Sequence, residues 1–178
     1  MIDQFDGFEI HPIQEGDAST IYDFIIANTE RFKMYFPVTV AQNLTPSLSQ
    51  YFVQQKLKAF KAKEEFLFTL KQCEHQHIVG LIYIKEIDLG NKQGEFAYCI
   101  GSSFEGQGLT SKTVALLSQY AFNTLHLETL QIIVHKTNTA SIKVATNNEY
   151  KWQKTLKNEF TPMGKAPINM ELYELYKS

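Results

Sequence analysis

The chain has 178 residues, enough for one domain, and 44% of them are apolar, including thirteen Phe. That supply of core material argues against extended disorder. Seventeen basic against nineteen acidic side chains leave a net charge of -2, which lacks the basic surplus of a nucleic-acid binder. Cys73 and Cys99 lie far apart and match no CxxC or metal pattern, so both are expected as reduced thiols with no metal site. The opening Met1–Asp6 is acidic and mixed, unlike a signal peptide. No apolar run approaches the ~20 residues of a membrane span. A cytoplasmic protein with no membrane and no direct nucleic-acid partner is expected.

Phe8–Ile13 alternates apolar and polar and reads as a first strand. Gly16-Asp17 breaks it. Asp17 or Ser19 is placed to cap a helix through Ile21, Phe24, Ile25 and Asn28. Phe36-Pro37 interrupts, and Thr45-Pro46-Ser47 opens a second helix with Leu48, Phe52, Leu57 and Phe60 at helical spacing. Phe66–Leu70, Ile78–Ile84 and Glu95–Ile100 follow as three β-rich runs joined by short links, which predicts an antiparallel meander. A helix from Thr110 to Leu125 carries Val114, Leu117, Ala121 and Leu125 on one face. Leu130–His135 is a nearly continuous apolar strand, a pattern typical of strands covered on both faces. Strand, glycine turn, helix, strand is a βαβ unit. A shorter helix from Asn138 to about Asn147 and strands at Tyr150–Leu156 and Ile168–Tyr176 close the chain. The predicted architecture is α+β, one domain over residues 1–178. Its mixed, mostly antiparallel twisted sheet has about seven strands with about four helices.

The chemistry concentrates between Glu95 and Ser141. Gly106 and Gly108 sit between a strand and a helix start. There the backbone can approach a ligand closely, and helix N–H groups favour a phosphate. A P-loop would need Lys-Ser/Thr after the glycines, and Leu109-Thr110 stand there. A dinucleotide fingerprint would need a third glycine after the first strand.

Glu95–Gly101, Glu105–Thr110 and Asn138-Thr139-Ala140-Ser141 resemble the acetyl-CoA site of GNAT-type N-acetyltransferases. The branch that acetylates the N-termini of ribosomal proteins is most similar, and Asn28–Phe32 with Phe36-Pro37 resembles that branch's opening helix and loop. The resemblance implies a fold of that family and acetyl-CoA as co-substrate, held by Tyr98, Cys99, Ile100, Phe104, Glu105, Gly106, Gln107, Gly108, Leu109, Thr110, Ser111, Asn138 and Ser141. It implies direct transfer to a primary amine, either a protein N-terminus or a small amine such as a polyamine or aminoglycoside. A non-catalytic acyl-CoA-binding module is the reading from another class.

Ser141 is the implied acid for the thiolate, since Ala145 stands where other family members place a tyrosine. Glu159 and Glu95 are the candidate bases, with His135 a third. Asn138 and Ser141 are also good helix caps, and exposed Glu residues are common. Trp152, Tyr150 and Phe160 fit either an acceptor groove or the core. The family's turn reads Gln/Arg-x-x-Gly-x-Gly/Ala, so Glu105 and Thr110 depart from it, and Lys112 is the nearest offset to the carboxylate. Asn148-Glu149-Tyr150 replaces the family's Leu-Gly-Phe, with Asn148 expected to take the left-handed conformation that ends the helix. A homodimer through the C-terminal strands is a further expectation from the resemblance.

Overall fold

The computed structural model describes residues 1–178. In chain order the elements are β1 (Asp3–Phe5), β2 (Phe8–Pro12), α1 (Ala18–Phe32), α2 (Pro37–Ala41), α3 (Pro46–Ala62), β3 (Phe66–Gln72), β4 (Ile78–Asp88), β5 (Gln93–Ile100), α4 (Leu109–Asn123), β6 (Thr129–Val134), α5 (Thr139–Asn147), β7 (Lys151–Phe160) and β8 (Ile168–Tyr176). The strands form one eight-stranded sheet in the order β1-β2-β3-β4-β5-β6-β8-β7. This is the expected mixed, mostly antiparallel α+β fold, with eight strands and five α-helices.

The chain divides into two compact units, one of Met1–Ile82 with Tyr98–Glu105 and one of Tyr83–Ala97 with Gly106–Ser178. In the first, β1 and β2 form a hairpin that the sequence reading left out. Its turn is Asp6-Gly7, with φ of 47° and 82°. Asp-Gly is the preferred pair for a tight hairpin turn that needs left-handed residues, so the signal was in the sequence. Ile21, Phe24, Ile25, Asn28 and Phe32 form the buried stripe of α1. Thr45 caps α3 by accepting from the Leu48 N–H at 3.2 Å, with Pro46 at the first helical position. Phe36-Pro37 does not merely interrupt. Pro37 starts the short helix α2, as its fixed φ allows.

Asp17 precedes α1 without capping it through its side chain. Its buried carboxylate accepts the Gln14 N–H at 2.9 Å and pairs with Lys71 Nζ at 2.7 Å. Burial of two opposite charges requires such pairing.

In the second unit, α4 packs Val114, Leu117, Ala121 and Phe122 into the core. The helix stops at Asn123, so Leu127, not Leu125, is the buried residue of the following turn. β5 and β6 pair parallel from Gln93↔Thr129 to Phe96↔Ile132, completing the βαβ unit. β6 is less enclosed than its apolar run implied. Leu130, Ile132 and Val134 are buried and the alternate residues only half-buried. On its other edge β6 pairs antiparallel with β8, from Thr129↔Tyr176 to Val134↔Glu171. β7 is the last strand of the sheet and largely exposed.

Asn148 is not left-handed. Its φ is -101°, and Glu149, with φ 63°, takes that conformation. The Tyr150 N–H reaches the Ala145 carbonyl at 3.0 Å and the Glu149 N–H the Thr146 carbonyl at 3.2 Å. That is the two-bond Schellman ending, in which the residue after the cap is the left-handed one.

Candidate active site

The segment after β5 is built in steps. A single 3-10 turn covers Ser102–Phe104, with the Phe104 N–H donating to the Gly101 carbonyl at 2.9 Å. The Phe104 ring meets Phe8 edge-on, with centroids 6.0 Å apart. Gly106 and Gly108 then have φ of 72° and 75°. A Cβ at either would meet nothing within 4 Å, so glycine is needed here for its backbone conformation rather than for space.

Gly108 is the cap of α4 and has no side chain to satisfy the helix end. The first intrahelical bond is from the Lys112 N–H to the Gly108 carbonyl at 3.0 Å. The N–H groups of Leu109, Thr110 and Ser111 therefore lack intrahelical acceptors, at the positive end of the helix dipole. Leu109 is buried and fixes the turn, and its carbonyl accepts the Thr113 hydroxyl at 2.8 Å. The Ser111 carbonyl and hydroxyl both accept from Asn148 Nδ2, at 3.0 and 3.1 Å. The residue that departs from the family's Leu thus braces the first turn of α4. This arrangement suits a bound phosphate.

Glu105 pairs with Arg31 of α1, so its counter-charge is Arg31 where the sequence pointed to Lys112. Arg31 Nη1 also donates to Asn28 Oδ1 at 3.1 Å and to the Ile100 carbonyl at 3.2 Å. Asn28 Oδ1 accepts the Ser102 N–H at 3.2 Å. The sequence placed Asn28 on the spacing of the first helix and Arg31 only within the family resemblance, neither as part of a site. Their three-residue spacing on one helix face was the available sign that they act together.

Tyr98, Cys99 and Ile100 are the last residues of β5. Cys99 is free and buried, and burial pushes its thiol pKa up to about 12. A thiol held neutral is a poor nucleophile, so position 99 is left with its backbone to offer. Parallel pairing of β5 with β6 ends at Phe96↔Ile132, although β5 runs on to Ile100 and β6 to Val134.

Asn138 caps α5, its Oδ1 accepting the Ser141 N–H at 3.1 Å. This is the cap role expected of such a residue, and it leaves the Ser141 side chain in the helix's first turn, half-buried. His135 Nδ1 lies 2.7 Å from the Thr137 hydroxyl, within the turn that leaves β6.

Glu95 sits on β5, largely buried, 2.9 Å from Lys85 Nζ. Burial raises its pKa above the usual carboxylate value, and the charges of Glu86 and Glu159 add to the rise, while Lys85 opposes it. The two candidate bases are thus brought within electrostatic reach of each other. Glu159 lies inside β7, not beyond its end. It follows Asn158, whose φ of 55° marks the register shift between Leu156 and Phe160. Such a bulge re-aims neighbouring side chains. Lys85, the ion-pair partner of Glu95, was not legible in the sequence.

The aromatic candidates separate. Tyr150 is core, its hydroxyl 2.9 Å from buried Ser118 Oγ. Trp152 is 56% exposed and donates to Glu171 at 2.7 Å. No group of three or more His, Cys, Asp or Glu side chains is placed to hold a metal ion. No helix is long and apolar enough to cross a membrane.

Comparison with known proteins shows the family and the fold. Residues 8–151 match the model of the Acetyltransferase (GNAT) domain family. The uncharacterized N-acetyltransferase p20 of Bacillus licheniformis is 26% identical over 110 residues, 62% of this chain and 61% of the relative. Spermidine N(1)-acetyltransferase of Escherichia coli K12 is 30% identical over 89 residues, 50% of this chain and 47% of that enzyme. The chain thus spans about half to three fifths of the length of these curated relatives. In structure, the ribosomal-protein-S5-alanine acetyltransferase of Vibrio fischeri superimposes with a TM-score of 0.91 at 18% identity, covering 98% of this chain and 95% of that one. At that identity the likeness shows the shared fold. The family match covers most of the chain, and the chain belongs to the GNAT acetyltransferase family.

Proposed function

We propose that this protein transfers the acetyl group of acetyl-CoA directly to a primary amine, with the α-amino group of a protein N-terminus as acceptor. The observation that carries the reading is the glycine turn into α4, inside the family match. Gly106 and Gly108 are left-handed, and the helix end carries no side-chain cap. In this reading the N–H groups from Gly106 to Ser111 hold the pyrophosphate. The backbone beyond the Phe96↔Ile132 pair takes the pantetheine arm as an extra strand would. Acetyl-CoA supplies the thioester.

Glu95 or Glu159 takes a proton from the acceptor ammonium, and the free amine then attacks the thioester carbonyl as the C–S bond breaks. The raised pKa of Glu95 strengthens it as a proton acceptor. The Ser141 hydroxyl donates to the departing thiolate, and a backbone N–H within Tyr98–Ile100 donates to the developing oxyanion. The protein-N-terminus acceptor is supported by a structural likeness over nearly the whole chain to an enzyme that acts on a ribosomal protein. The identity with the spermidine enzyme favours a second reading, a polyamine acceptor. One domain, cytoplasmic and dimeric, is part of the same reading.

The test is release of CoA thiol from acetyl-CoA in the presence of N-terminal peptides of ribosomal proteins, or of spermidine. Turnover with a peptide and none with spermidine supports the first reading. The reverse supports the second. Binding of acetyl-CoA without turnover on any amine would mean a non-catalytic module.

A further inference from the structure

Position 105 holds a carboxylate at the mouth of a turn suited to phosphate, where the family's pattern carries Gln or Arg. An acid there repels the ligand that the following glycines are shaped for. The structure answers the charge locally. Arg31, in the last turn of α1, is bonded to three separate acceptors: the Glu105 carboxylate, the Asn28 side-chain oxygen and the Ile100 carbonyl. Asn28 is buried. It is fixed by donating to the Phe24 carbonyl at 2.8 Å, and it receives the Ser102 N–H. Two residues of one helix face therefore hold chain positions 100, 102 and 105, the whole descent from β5 towards the glycines.

We propose that Arg31 is a positioning residue for the cofactor turn. It neutralises Glu105 and draws its carboxylate onto α1, so that an acidic residue at 105 is compatible with pyrophosphate binding. The pair is exposed enough that its own contribution to folding is small. Its effect belongs to ligand affinity, where the carboxylate meets a second anion. The proposal rests on the turn being the acetyl-CoA site, and the experiment separates the two.

Dissociation constants for CoA are measured on the full chain for wild type, Arg31→Gln, Glu105→Gln and the double variant, at low and high salt, with thermal midpoints for each. Glutamine at 31 keeps a side-chain donor for Asn28 and Ile100 while removing the charge. Arg31→Gln should weaken CoA binding by about three- to tenfold at low salt, the range of one partly screened unit charge acting on a dianion. The loss should shrink at high salt. Adding Glu105→Gln should restore the affinity to within about twofold of wild type, because the charge to be neutralised is gone. If the double variant binds as weakly as Arg31→Gln, or if Arg31→Gln binds as wild type does, the proposal is overturned. Wild type that binds no CoA would overturn the reading of the site itself, and the proposal with it.

Discussion

Substituting glycine within a helix usually costs stability, and at Glu149, just past the end of α5, the opposite is expected. Glu149 holds φ 63° in the two-bond ending of α5. A residue with a Cβ is disfavoured in that conformation by ~1–2 kcal/mol, and glycine is not. Glycine also adds freedom to the unfolded chain, which offsets ~0.4–1 kcal/mol of the gain. The difference is a net stabilisation of ~0.5–1 kcal/mol for Glu149→Gly. A change of 1 kcal/mol moves the midpoint by roughly 2–4 °C in a chain of this size, so the expected rise is about 1–4 °C. The assay is thermal unfolding followed by far-UV circular dichroism, with a urea titration to check that the slope is unchanged. Asn148→Gly is the control. Its φ of -101° offers no strain to relieve, and it loses the bonds from Nδ2 to Ser111 and to the Val144 carbonyl. It should fall by ~1–3 kcal/mol. A lowered midpoint for Glu149→Gly would refute the assignment of strain to that residue.

Removing the counter-charge of Glu95 with Lys85→Met should raise the Glu95 pKa further. With Glu95 as the proposed base, which works unprotonated, the acidic limb of kcat/KM against pH should move to higher pH. The sign for stability is the same. A carboxylate whose folded pKa is raised favours the folded state when protonated, and that contribution is lost as pH rises through the folded value. Lys85→Met should therefore match wild type best below about pH 4 and fall behind above it. Gly94→Ala places a Cβ 3.0 Å from Ile84 Cγ2 and from Leu127 Cδ1, and 3.1 Å from Ile87 Cδ1. Overpacking of this kind costs ~1–3 kcal/mol, to be read from the urea midpoint. Tyr150→Phe removes the hydroxyl facing buried Ser118 and should cost ~1–3 kcal/mol by the same measurement.

Much of the fold was legible because periodicity and punctuation agree. Thr45-Pro46 announced α3, and the apolar run at Leu130 with the glycine turn before α4 announced the parallel pair. The Asp6-Gly7 turn is equally legible, although the strand before it has only three residues. What could not be read were partnerships set by tertiary packing. Asp17 looked like a helix cap, and its buried partner Lys71 lies 54 positions away. Glu105 was seen to be a problem, while its solution, Arg31, lies 74 positions back. Lys85 and Glu95 pair across the short link between β4 and β5, but no periodic rule says that a lysine there meets a carboxylate. At the end of α5 the family's glycine corresponds to Glu149, not Asn148. Asn148 is instead engaged with Ser111, a bond visible only once α4 and α5 are placed.

The central claim is that the turn from Gly106 into α4 binds acetyl-CoA. Calorimetric titration of the full chain with acetyl-CoA, followed by a thermal scan at ~100 times the fitted dissociation constant, tests it most directly. Saturable one-to-one binding is predicted, with a stabilisation of ~2.7 kcal/mol and a midpoint raised by roughly 5–10 °C. Folded protein that gives neither heat of binding nor a midpoint shift would contradict the claim.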